Sequence, residues 1–371
     1  MARRRKRNPP HPITPDGMQI SRREFVRVGG LAAAIAALPH PARSLPAVLL
    51  AETSPPSPLK PDRLKPGDVV GLINPAGATY QTSDIDEVKE SLAALGLGFK
   101  MGEHVLDRYG YLAGKDQDRA KDMNTLFEDP SVQAILAVRG GWGCNRILPL
   151  LDYDLYRRNP KVLMGYSDIT SLLVAVYARS GLVTFHGPVG TSTWNQFSVD
   201  YVRRILFNGE MVTMQNPTAT GDNLTRTKDR IETITPGTAR GRLVGGNLSV
   251  LTAMVGSPYL PSWKNAILFV EDDGEQVYRI DRMLTQLQLA GILSQLAGFV
   301  FGKCTNCGPG EGYGSLTLEE VLADHIKPLG IPAWYGAMIG HIENKFTVPV
   351  GIEAEIDAER GTIRMTETAV T

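Results

Sequence analysis

Val162-Leu163-Met164-Gly165-Tyr166-Ser167-Asp168-Ile169-Thr170 is an apolar run that stops at a glycine and delivers a serine into what reads as the first turn of a helix. At such a corner the hydroxyl projects away from a sheet while neighbouring backbone N–H groups point the same way, so a nucleophile and an anion-stabilising site come together. The segment departs from the Gly-x-Ser-x-Gly nucleophile elbow, because Ile169 stands where the second glycine would be. A Ser-Asp helix cap accounts for the same residues without chemistry. A base and an acid elsewhere must separate the two readings. Arg139-Gly140-Gly141-Trp142-Gly143, which follows the apolar run 134–138, places three glycines in four residues, letting the backbone approach a ligand and aim N–H groups at it. It lacks both the Gly-x-Gly-x-x-Gly spacing and a Gly-Lys-Ser/Thr sequence, so nucleotide binding has weak support, and a tight turn or an oxyanion-hole contribution fits as well.

Six histidines occur, of which His11 and His40 lie in the basic N-terminal stretch. His104 sits among charges, and His325 ends a helical pattern where an imidazole is comfortable beside the helix dipole. His186 and His341 each follow an apolar run and adjoin a glycine, which makes them the candidate bases; for His186 a structural or substrate-orienting role fits at least as well. The acid that would fix the imidazole tautomer is sought at the end of a buried strand, and Ile267-Leu268-Phe269-Val270-Glu271-Asp272-Asp273 supplies one. Glu271 is the first polar residue after that run. Asp272, Asp273 and Glu275 read instead as a solvated acidic turn or a weak cation site, although their spacing does not match a calcium loop.

With 371 residues and 43% hydrophobic content, the chain has room for two domains and a large core, and no apolar run is long enough to anchor it in a membrane. The formal net charge of zero hides an asymmetry. The first 60 residues carry 10 Lys and Arg against 3 Asp and Glu, so the remainder carries 29 against 36, a net charge of −7. A mildly acidic body argues against nucleic acid as a partner. Within the basic stretch, Ser21-Arg22-Arg23-Glu24-Phe25-Val26-Arg27 precedes a weakly apolar, alanine-rich run, the pattern of a twin-arginine export signal. The proline-rich run 54–61 then reads as a tether, so residues 1–60 are assigned to signal and tether. A periplasmic or otherwise exported location follows as an expectation. The three cysteines are too few for a disulfide framework, and Cys304-Thr305-Asn306-Cys307 reads as an incidental loop pair or a local disulfide formed after export. No metal-ligand spacing appears, so neither metal nor cofactor is expected.

From residue 67 onward short β-rich runs alternate with amphipathic helical stretches, the signature of an α/β fold with a parallel sheet flanked by helices. Strands are expected at 69–73, 134–138, 161–164 and 183–185, with helices over 84–95, begun by Ser83, and over 119–127. These place an N-terminal α/β domain over 61–200. The polar stretch 201–240 reads as an interdomain connection or covering loop. A second module over 241–371 offers strands at 266–270 and 298–301 and helices at 247–254, 277–290 and 317–326.

The set Asn74-Pro75-Ala76, Arg139-Gly140-Gly141-x-Gly143, Gly165-Tyr166-Ser167-Asp168-Ile169-Thr170, Phe185-His186-Gly187-Pro188, Gly245-Gly246-Asn247-Leu248, the Glu271-Asp272 strand end with Tyr278-x-Ile280-Asp281-Arg282, and Gly340-His341 resembles the LD-carboxypeptidase family of serine peptidases. The resemblance spans about residues 64–366. It implies a flavodoxin-like N-terminal domain related to glutamine-amidotransferase folds, a smaller β-rich C-terminal domain and a homodimer. It also implies a triad of Ser167, Glu271 and His341, with backbone N–H groups of Asp168 and of Gly140 or Gly141 forming the oxyanion hole. The expected substrates are murein stem peptides, cut to release a terminal D-alanine, with Arg139 and Glu275 as candidate contacts to substrate charges. Two alternatives accompany this reading. One is a microcin-type aminoacyl-nucleotide hydrolase that stacks a base on Trp142 or Trp194, and the other is an exported binding protein without catalysis.

Overall fold

A computed structural model of the chain describes residues 58–308 and 314–371; the basic stretch with Arg22 and Arg23 lies outside them, as do residues 54–57 of the proline-rich tether. The first sheet is built from short aliphatic strands, β1 (Val69–Ile73), β2 (Gly98–Met101), β3 (Ala134–Ala137), β4 (Val162–Gly165) and β5 (Thr184–His186). All five are parallel in the order β2-β1-β3-β4-β5, the flavodoxin-like arrangement. Strands buried on both faces read as continuous apolar runs, which is how β3 and β4 appear in the sequence. Helix α1 (Thr82–Ala94) turns Ile85, Val88 and Leu92 toward this sheet, and α2 (Asp116–Glu128) turns Met123, Leu126 and Phe127. Gln81 rather than Ser83 stands at the start of α1, and the helix takes in Ser83 and Asp84 as part of its first turn. Helix α3 (Thr170–Ser180), buried over most of its length, and α4 (Gln196–Val202) follow.

The stretch 201–240 is not the plain connection its polarity suggests. It carries β6 (Thr213–Gln215) and β7 (Glu232–Thr235), and β8 (Thr238–Asn247) begins before it ends. Strands β6 and β7 are the two outer strands of the second sheet, where one side faces solvent, so their residues are polar and the apolar alternation is weak. That sheet has eight strands in the order β6-β14-β13-β8-β9-β10-β11-β7. Its centre is parallel, from β8 through β9 (Ala266–Asp273), β10 (Gly298–Thr305) and β11 (Ala333–Tyr335). Antiparallel β13 (Glu353–Asp357) and β14 (Thr362–Met365) extend it. Helix α5 (Leu248–Ala253) packs on β8 and β9, α6 (Val277–Leu289) packs beside it, and α7 (Leu318–Ile326) lies against α6 and the edge strand β7, with His325 tied to Asp281 of α6 at 2.7 Å.

The chain also crosses back. Strand β12 (Val348–Val350), from the C-terminal module, pairs antiparallel with β5 and completes the first sheet. Ser198 of α4 accepts the Lys345 backbone N–H and donates to the Glu343 carbonyl, pinning the stretch beyond His341 to the first lobe. The Asn247 backbone N–H donates to Thr170 Oγ1 at 2.9 Å, so the end of β8 docks on the start of α3.

Candidate active site

The site lies where the carboxyl ends of strands from both sheets meet, the edge at which open α/β sheets place ligands. Strand β4 ends at Gly165, and Ser167 sits two residues on with φ of 64°, a left-handed backbone that a residue with a Cβ rarely adopts. A 3₁₀ turn, Ser167–Ile169, then runs into α3. A Cβ on Gly165 would come within 2.8 Å of Ile169 Cγ2, so at this corner the isoleucine fills the room beside the first glycine. Glycine at 165 is therefore what lets an isoleucine stand at 169.

The second lobe presents the partners. His341 follows β11 after a turn, and its Nε2 lies 3.0 Å from Ser167 Oγ. Its Nδ1 lies 2.8 Å from Glu271 Oε2. Since the carboxylate only accepts, Nδ1 carries the proton and Nε2 is left to accept from the serine hydroxyl. Glu271 is inside β9 rather than just past it, in register with Asn247 of β8, and is fully buried. Gly340 has φ of 123°, and a Cβ there would meet Glu271 Oε2 at 2.6 Å, so the turn bearing His341 can close on the carboxylate only with glycine.

Burial alone would raise the Glu271 carboxyl, but His186 and His341, facing its two oxygens, outweigh it and hold it down to about 2. His341 is the stronger partner by geometry, because His186 Nε2 is 3.8 Å from Oε1, beyond hydrogen-bond reach. Burial works against the His341 imidazolium; the bond to Glu271, with Asp273 and Asp272 nearby, overcomes it and raises His341 above its ordinary 6.5. His186 is buried with Nε2 unpartnered, and its ring packs edge-on to Phe269 at 5.5 Å. The structure therefore brings His341, not His186, to the serine.

Ser167 and His341 open onto a cavity of about 290 Å³ whose lining includes Gly141, Trp142, Asn247, Asp273 and Glu275. Gly140 packs directly behind the serine, where an added Cβ would stand 2.9 Å from Ser167 Cβ. Asp168 does not cap its own helix through its side chain. Its buried carboxylate accepts the Cys144 backbone N–H at 2.8 Å and so ties the Ser167 turn to the end of the glycine loop. Burial pushes the Cys144 thiol well up, which leaves it an inert neighbour.

Arg139 does not join the lining. Its guanidinium donates to the Ala78 carbonyl at 3.1 Å, bracing one loop against another. Trp194 is likewise elsewhere, donating to the Gly190 carbonyl at 2.9 Å, whereas Trp142 lines the cavity. Three further residues carry the site without a role in the sequence reading. Asn247 caps α5 and donates to both Glu271 and Asp272, and Ser249 donates twice to Asp272. Burial and the Glu271 charge lift Asp272 to about 6 despite these donors. Lys345 is buried with its ammonium 4.3 Å above the Tyr166 ring, and burial brings it down to about 8. The Asn of Gly-Gly-Asn-Leu was visible as a helix start, but nothing local pointed to Lys345. Away from the cavity, His104, Asp107 and Asp118 bring possible cation ligands within 4.8 Å of one another. None of the three lines the cavity.

Residues 70–187 match the LD-carboxypeptidase N-terminal domain, and residues 240–356 match the LD-carboxypeptidase C-terminal domain. A Bacillus subtilis (strain 168) protein named "Probable murein peptide carboxypeptidase" is 38% identical over 82% of this chain and 93% of its own length. The chain belongs to the LD-carboxypeptidase family. The murein tetrapeptide carboxypeptidase of Pseudomonas aeruginosa (strain PAO1) is 32% identical over 78% of this chain and 94% of its own. Among solved structures, MccF in complex with glutamyl sulfamoyl guanosine superposes with a TM-score of 0.77 at 26% identity, covering 85% of this chain and all of that one. As a member of the LD-carboxypeptidase family the chain is a peptidase by kinship, and its two-lobed α/β architecture is the one its solved neighbours share.

Proposed function

We propose that this protein is a serine LD-carboxypeptidase that releases terminal D-alanine from murein tetrapeptides. The observation that carries the reading is the unbroken relay from Ser167 Oγ through His341 to buried Glu271, at 3.0 and 2.8 Å. His341 Nε2 takes the hydroxyl proton as Ser167 Oγ attacks the scissile carbonyl, and Glu271 stabilises the imidazolium that forms. Backbone N–H groups of Asp168 and of Gly140 or Gly141 hold the oxyanion. His341 then protonates the leaving nitrogen, D-alanine departs, and a water molecule, deprotonated by the same imidazole, hydrolyses the acyl-enzyme. The cavity suits a diamino acid. Asp273 and Glu275 line it, and among the described residues no lysine or arginine does, which favours a substrate ammonium there.

Purified wild type and Ser167→Ala, given defined tetrapeptides with free or acetylated side-chain amines, test this by mass spectrometry of the products. Wild type should release D-alanine and favour the free amine, while Ser167→Ala loses at least about 1,000-fold in rate with an unchanged melting temperature. Equal release by both proteins would overturn the serine mechanism. A binding protein without catalysis predicts no release by either.

A second reading rests on Trp142 in the cavity and on the likeness to MccF. An aromatic face there would stack a nucleobase, making an aminoacyl-nucleotide the substrate. The acidic lining and the export pattern at Arg22 and Arg23 favour the murein peptide. We place its action outside the inner membrane. Fractionation of cells expressing the native chain and an Arg22→Lys, Arg23→Lys variant checks the location, and equal cytoplasmic retention of the two would refute it.

A further inference from the structure

Cys304 and Cys307 are joined in a disulfide with their Cα atoms 5.4 Å apart, and the four-residue turn it closes touches both segments that carry the acid and the base. Thr305 Oγ1 donates to the His341 carbonyl at 3.1 Å. The Thr305 carbonyl accepts from the Gly274 N–H at 2.8 Å, just beyond Glu271-Asp272-Asp273. Asn306 Nδ2 donates to Asp273 Oδ1 at 3.0 Å, on the wall of the cavity. Immediately before the turn, the Lys303 N–H donates to the Ile339 carbonyl at 2.9 Å. Cys304 and Thr305 are the last residues of β10, paired with Asp272 and Asp273 of β9, whereas Asn306 leaves the strand with a left-handed backbone, φ 55°, so the side chains at this strand end depend on how the exit through Cys307 is held.

We propose that the Cys304–Cys307 disulfide is a clamp on the catalytic histidine, with Thr305 as the positioning residue through which it acts, so that the oxidised protein is the faster hydrolase. The inference rests on the serine-peptidase reading above. A cross-link across so short a loop removes little entropy from the unfolded chain, and its effect on global stability is small. Its effect is local. With the ends tied, the Thr305 hydroxyl stays aimed at the His341 carbonyl, and the imidazole keeps its alignment between Glu271 and Ser167; with the ends free, that donor samples other rotamers and the alignment spreads. Small misplacements of a reacting group are costly in rate. Forming the clamp transfers two electrons from the two thiols, with loss of two protons, to the disulfide of a thiol oxidoreductase, which becomes a dithiol. Compartments outside the cytoplasm supply such an oxidant, so the clamp would be set after export.

The test compares full-length protein in the oxidised state with the same protein reduced by a phosphine, which takes up one water oxygen as the disulfide becomes two thiols. Reduction should lower kcat about tenfold with KM within twofold and the melting temperature down by only a few degrees, and reoxidation should restore the rate. Thr305→Val should show the same loss while oxidised and little further loss on reduction, and Thr305→Ser should recover most of the rate. Amide hydrogen exchange over residues 338–342 supplies a readout that needs no substrate, and it should quicken about tenfold on reduction while the two sheets stay protected. Unchanged exchange in that segment would overturn the clamp, as would equal kcat in the two redox states. If the oxidised protein releases no D-alanine from any peptide, the peptidase reading fails instead, and hydrogen exchange alone decides the clamp.

Discussion

Glu271 is a carboxylate in a dry sheet interior, faced by His186 at one oxygen and hydrogen-bonded to His341 at the other, and is held charged there. Because His341 is raised above 6.5 by that carboxylate, kcat/KM should climb with pH through the His341 titration, with the acidic limb above 6.5. Glu271→Gln removes the cause of the rise, so the limb should move to lower pH while kcat falls by roughly 1,000- to 10,000-fold; a pH–rate profile of both proteins measures it. An unmoved limb would mean that Glu271 does not set the basicity of His341. The same charge enters stability. The folded carboxyl lies below its unfolded value, so its contribution is fully present above pH 4.5 and is lost as pH falls from there through about 2.

At the scale of elements, the site depends on how closely loops approach. The glycine loop after β3 lies behind Ser167 with no room for a side chain at Gly140. Gly140→Ala puts a methyl carbon inside contact distance of the serine, so either the loop or Ser167 must move; we expect kcat to drop at least about 100-fold with only a modest fall in melting temperature. Activity close to wild type would mean that the loop yields freely and takes no part in the chemistry. Asp168 works at the same level, since its carboxylate binds the backbone at Cys144 and makes the glycine loop and the serine turn one unit. From the sequence both were visible as a glycine-rich loop and a Ser-Asp pair. Their contact was not, because residues 140 and 167 meet only when β3 and β4 lie side by side.

In the whole molecule the two lobes are not two sequence halves. Strand β12 comes from the C-terminal module and completes the first sheet, while β6 and β7, from the polar connection, complete the second. A fragment limited to residues 61–200 lacks β12 and leaves β5 as an exposed edge. We expect that fragment to melt without a cooperative transition, whereas the full chain unfolds as one unit in calorimetry. A cooperative melt of the fragment would show that β12 is dispensable. The interleaving also fixes Ser167 relative to His341, since α4 and β12 hold the stretch after the histidine against the first lobe.

What the sequence by itself determined is what local pattern encodes: the buried parallel strands, the glycine that ends β4, the serine after it, and the carboxylate on a buried run. Periodicity and turn chemistry act over a few residues, and those features need nothing more. Tertiary structure alone decided which histidine serves the serine, because His186 and His341 have the same local signature and only packing puts one at 3.0 Å from Ser167 Oγ and leaves the other 3.8 Å from Glu271. It likewise turned Arg139 away to a backbone carbonyl and placed β12 in the first sheet. Contacts between residues 61 to 174 positions apart depend on the three-dimensional path of the chain, and no local pattern carries that path.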